Sequence, residues 1–205
     1  MLSIIQAAGW PIWPLILCSV LALALIIERL FQLQTRKVAP SNTLEKAMEV
    51  TRSNLPSEEV VRQLENMGVL GPVLASGIRN LQQNPQATHK DVQSGMEMAG
   101  RKAARDLERY LTALATIASA APLLGLLGTV VGMIEIFGAH TAANNQPAQL
   151  AQGISIALYN TAFGLIVAIP ALMFWRYFRS VVDNHLLNME IASEQFCRHL
   201  NHLRD

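Results

Sequence analysis

Residues 111–135 read LTALATIASAAPLLGLLGTVVGMIE, and this stretch decides the fold. It carries no charge before Glu135, and with its flanks it makes an apolar run over 110–137. A helix needs roughly 20 such residues to cross about 30 Å of hydrocarbon. Two further runs, 10–33 and 153–175, meet the same standard, the first interrupted only by Glu28 and Arg29 near its end. The chain is 51% apolar and 15% charged. A soluble domain carries about a quarter charged residues, and here the deficit is concentrated in the three runs. The expected fold is all-α: an integral membrane protein with three transmembrane helices and long helices extending into the cytoplasm.

The distribution of Lys and Arg orients the spans. Segment 1–9 has none and neither does the connector 138–152, whereas Arg36 and Lys37 follow the first span. Arg101, Lys102, Arg105 and Arg109 precede the second span, and Arg176 and Arg179 follow the third. With the N-terminus outside, all 16 Lys and Arg and every carboxylate except Glu135 lie on the cytoplasmic side. Segments 34–109 and 176–205 are then cytoplasmic, and in a bacterium the outside is the periplasm. The first run does not read as a cleavable signal, because it has no basic n-region and its core is too long.

The segment 34–109 predicts a string of helices. Ser57 ahead of Glu58 and Glu59 is placed as an N-cap, with Val60, Val61 and Leu64 as the apolar face. Gly68, Gly71 and Pro72 should break that helix. Leu74, Ile78 and Leu81 mark a second helix that Pro85 ends. Thr88 and Asp91 resemble a capping box, from which a helix runs into span two. In the tail, Val182, Leu186, Met189, Ser193, Phe196, Leu200 and Leu203 form one helical stripe. It requires a partner, either the helices before span two or a neighbouring subunit.

Inside the membrane, Gly128 and Gly132 make a GxxxG and Gly125 adds another thin point, which suits close helix packing. Thr112, Thr116 and Ser119 share a face, where hydroxyls ordinarily bond to their own helix. Thr129 lies eight residues before Phe137, and Thr161 nine after Gln152 on a span running the other way. Both should lie about 12–13 Å below the outer surface at 1.5 Å per residue. Pro122 and Pro170 also fall at comparable depths. No carboxylate sits mid-membrane. Glu135 is near the outer end, where it is either an interfacial group facing water or part of the mouth of an ion path.

No Walker A loop, GxSxG or HExxH is present, so neither an enzyme nor a cofactor is expected. Cys197, His199 and His202 do not make a metal site, since positions two apart do not face each other on a helix. Cys18 is a small apolar filler, and a disulfide between the two cysteines is not expected. Nothing in the charge pattern calls for nucleic acid.

The stretch from Ala121 to Ile134, followed by Phe137, resembles the second-span signature of the MotA/TolQ/ExbB proton channel family. Gly153-Ile154, Ala157-Leu158 and Thr161 to Pro170 resemble the third-span signature, and Glu28-Arg29 also fits. The resemblance covers the whole chain in order and spacing, and the short N-terminus is most like the short ExbB type. It implies a three-span subunit in a ring, a pentamer, around two single-span helices of an ExbD-like protein. Each such helix brings a proton-binding aspartate, and Thr129 and Thr161 match the ring hydroxyls beside it. The assembly would energise a TonB-like protein for outer-membrane transport. A TolQ-like subunit serving envelope integrity and a structural membrane scaffold are the alternatives. One departure is Ile156, where many relatives carry glutamate.

Overall fold

A computed structural model describes residues 9–40, 42–52, 55–139 and 147–202, among which every regular element is a helix. In chain order these are α1 (Ile12–Gln32), α2 (Thr35–Val38), α3 (Thr43–Thr51), α4 (Glu58–Glu65), α5 (Leu70–Gln83), α6 (His89–Ala139) and α7 (Pro147–His202). Most of segment 1–9, the middle of the connector 138–152 and Leu203 lie outside the described residues. Three helices, α1, α6 and α7, are long and apolar enough to cross a membrane.

The sequence joins its charged and apolar stretches without a break, and the helices run on accordingly. α6 has 51 residues and α7 has 56, each with an internal proline, Pro122 and Pro170. In water such a proline costs about 3 kcal/mol or more, but neighbouring helices in a membrane re-satisfy the freed carbonyl. α7 begins at Pro147, ahead of the apolar run that starts at 153.

The chain divides into two compact units, Met1–Glu28 with Tyr110–Tyr177, and Arg29–Arg109 with Phe178–Asp205. In the first, small and branched side chains make the core: Leu15, Ala22, Leu114, Ala118, Ala121, Ala157, Val167, Ala168 and Ala171 are all buried. Leu17, Val20, Leu23 and Ile27 of α1 remain exposed.

In the second unit, α4 and α5 pack as a hairpin. Gly71 and Pro72 do not break it but sit in the first turn of α5, where proline is tolerated because its missing N–H would be unbonded anyway. The break comes before them. At Gly68 φ is +70°, and an added Cβ would meet the Lys37 carbonyl oxygen at 2.7 Å. The Val69 N–H then donates to the Val38 carbonyl at 2.8 Å. Ser57 has the extended backbone of an N-cap, but its side chain makes no capping bond. Its carbonyl accepts from the Val60 and Val61 N–H groups instead. Thr88 and Asp91 do form the reciprocal cap: the Asp91 carboxylate accepts from the Thr88 N–H at 2.8 Å and the Thr88 hydroxyl at 2.7 Å.

The tail stripe finds its partner within the chain. Val182, Met189, Phe196 and Leu200 are buried, with Leu186 and Ser193 half-buried. A Cβ on Gly77 would meet Met96 Sδ at 2.8 Å and Leu200 Cδ1 at 3.4 Å, so α5 lies against both long helices.

Candidate functional site

The antiparallel contact between α6 and α7 in the first unit is set by glycines. A Cβ on Gly125 would come within 2.8 Å of the Asn160 carbonyl oxygen and 3.0 Å of Thr161 Cα. One on Gly128 would meet Asn160 Cβ at 2.7 Å, and one on Gly132 would meet Ala157 Cβ at 3.1 Å. Across the interface, Gly164 would meet the Ala121 carbonyl oxygen at 2.6 Å. The sequence places Gly125, Gly128 and Gly132 at close helix packing, and their partner is α7 of the same chain.

Thr161 lies in this contact and its hydroxyl donates to the Gly125 carbonyl at 3.1 Å. Thr129 is half-buried and its hydroxyl bonds its own helix, at the Leu126 carbonyl, 2.7 Å away. The two threonines are therefore not level. Thr161 stands beside Gly125, so Thr129 is four residues, about 6 Å, further toward Phe137. Equal counts from the apolar ends missed this because α6 and α7 overlap by contact register, not by where hydropathy changes. Val130, Met133, Ile134 and Phe137 continue from Thr129 as an open apolar groove. Glu135 is exposed, off the face that meets α7. Pro122 is half-buried and Pro170 exposed.

Asn160 was not among the residues singled out from sequence. It is only 2% exposed, and the absent side chain of Gly128 makes the room for its amide. A polar residue inside an apolar run, next to Thr161 and opposite a GxxxG, is the signal that could have revealed it. Buried polar groups in a membrane helix are costly and tend to be functional.

The second unit holds buried polar groups of another kind. Arg29 is 2% exposed and its Nη1 donates to the Leu107 carbonyl at 3.1 Å. His185 Nε2–H donates to the Leu33 carbonyl at 3.0 Å. The C-terminal end of α1 is thus bound to α6 and α7. Arg179 bridges Glu108 at 2.8 Å and Asp183 at 3.2 Å on the surface. Cys197 Sγ lies 3.6 Å from His89 Nδ1, and burial pushes its thiol pKa up. Cys18 and Cys197 are both free. Among the described residues no three His, Cys, Asp or Glu gather into a possible metal site.

A chain with three membrane-length helices, two of them continuing far beyond the apolar region and meeting at a glycine-hydroxyl contact, can be set against known proteins. The profile of the MotA/TolQ/ExbB proton channel family matches residues 65–191. The chain belongs to that family. Among its relatives, the biopolymer transport protein exbB1 of Vibrio cholerae is 33% identical over 81% of this chain and 73% of its own length. The putative biopolymer transport protein ExbB-like 3 of Synechocystis is 34% identical over 93% and 89%. The Tol-Pal system protein TolQ of Haemophilus influenzae is 41% identical over a shorter stretch, 43% of this chain and 40% of TolQ. This is an ExbB/TolQ-type proton channel subunit of the bacterial inner membrane.

Proposed function

We propose that the chain forms a ring, a pentamer, around the membrane helices of an ExbD-like protein, and that the ring harnesses proton flow to drive a TonB-like protein. The contact of Thr161, Gly125 and Asn160 carries the reading. It holds a hydroxyl at a polar point in the membrane while this chain has no mid-membrane carboxylate of its own. The Thr129 and Thr161 hydroxyls each donate their proton to a helix carbonyl, so each accepts from water as it stands and donates to a partner's carboxylate by exchanging that bond. Loading a proton removes a charge that is costly in the membrane, and the electrical part of the driving force is roughly 2.3 kcal/mol per charge per 100 mV. Thr129 and Thr161 form the proton pathway, Glu135 lies at its outer mouth, and the N-terminus is periplasmic with the C-terminus cytoplasmic. The alignments with ExbB-type relatives cover 81% and 93% of the chain against 43% with TolQ, which supports transport over the TolQ-type role.

The test uses cells lacking the wild-type gene. Thr129→Val and Thr161→Val keep the shape and remove the hydroxyl. Both should abolish gradient-driven uptake while protein level and oligomer size stay normal. Normal uptake with normal assembly removes the hydroxyls from the path.

A further inference from the structure

On α6, below the contact just described, Thr112, Thr116 and Ser119 lie on the face opposite the one packed in the unit. All three are exposed, while Leu111, Leu114, Ala118 and Ala121 of the same stretch are buried. The Thr116 hydroxyl donates to the Thr112 carbonyl at 2.9 Å. The Ser119 hydroxyl donates to the Ala115 and Thr116 carbonyls at 3.1 and 3.0 Å. Such bonds use the hydroxyl proton and leave the oxygen lone pairs available to accept from water.

Other exposed membrane faces in the unit are different. α1 presents Leu17, Val20, Leu21, Leu23 and Ile27, and the matching depth of α7 presents Ile166, Ile169, Leu172 and Met173. The same face of α6 turns apolar beyond Pro122, at Leu123, Leu126, Leu127 and Val130. In sequence, Arg101, Arg105 and Arg109 precede Thr112 at nearly the same helical spacing. A hydroxyl row that ends where leucines begin suits a water-filled recess open on one side. Lipid is better fitted by the leucine faces.

We propose that Thr112, Thr116 and Ser119 border water rather than lipid, and line the cytoplasmic approach to the proton site as far as Leu123. The direction of the approach rests on the channel reading above. The hydroxyls relay nothing alone. They keep a column of water in place, through which a released proton leaves.

The experiment is cysteine accessibility in inverted membrane vesicles, on the full complex in a Cys18→Ala, Cys197→Ala background. The probe is a charged, membrane-impermeant methanethiosulfonate. Single variants Thr112→Cys, Thr116→Cys and Ser119→Cys are compared with Leu123→Cys on α6 and with Ile169→Cys and Leu172→Cys on α7. Because the thiolate is the reacting species and apolar surroundings suppress it, the hydroxyl-face cysteines should react about tenfold or more faster than the others. Labelling after denaturation confirms that each thiol is present. Equal, slow labelling at all six positions overturns the proposal, and so does fast labelling at Leu172→Cys. Gradient-driven uptake by Thr129→Val and Thr161→Val reports separately on the channel reading, so the two can fail independently.

Discussion

Asn160 and Gly128 make one lock, and each explains the other. A methyl group on Gly128 would lie 2.7 Å from Asn160 Cβ and 2.9 Å from its Cγ, closer than any relaxed contact. Gly128→Ala should therefore cost about 1–3 kcal/mol, read as an earlier thermal transition of the detergent-solubilised protein. Gly100→Ala is the control, since an added Cβ there meets nothing within 4 Å; it should be neutral or slightly stabilising, because alanine suits a helix better than glycine. Equal destabilisation by the two would show that packing at Asn160 is not what Gly128 serves. At the surface, Asp91 offers a pH test. Its carboxyl pKa is lowered, first by the Thr88 hydroxyl and then by the Thr88 N–H. A depressed carboxyl stabilises the fold above its ordinary value, and the contribution disappears as pH falls through the lowered one. Wild type should exceed Asp91→Asn in stability at neutral pH, with the gap closing below about pH 4. A gap that persists in acid would assign the effect to something other than ionisation.

At the scale of the helices, the tail shows what periodicity can reveal. The stripe from Val182 to Leu203 calls for a buried face, and spacing alone leaves its partner open. The structure supplies the partner within the chain, through α5 and the start of α6. Phe196→Ala should then cost about 3–5 kcal/mol, while Leu186→Ala, at a half-buried site, should cost clearly less. Comparable small losses at both would show the stripe to be exposed. The loops were less legible. Gly71 and Pro72 look like breakers, yet proline is also at home in a first turn. Only the positive φ at Gly68 and its approach to the Lys37 carbonyl distinguish the true break. The burial of Arg29 and His185 was not legible for a related reason: a basic residue near the end of an apolar run, or in a charged tail, reads as solvated, and its burial depends on carbonyls distant in sequence, those of Leu107 and Leu33.

At the scale of the molecule, fold class, family and the run of each long helix were legible because hydropathy and the second-span motif are strong signals. The depth of Thr129 against Thr161 was not, since antiparallel register is set by which glycine meets which residue. The ring is proposed on the family alone. Native mass spectrometry in mild detergent should show a homo-oligomer, five copies, and an accompanying single-span protein; monomers alone would count against it. The central claim is that a proton crosses beside Thr161. It is tested most directly by reconstituting the complex, purified with its native partner, into liposomes and recording proton entry under an imposed potential. The account predicts entry with the wild type and at least a tenfold loss, about 1.4 kcal/mol or more, with Thr161→Val at equal protein and oligomer content. Equal entry by the two would contradict it.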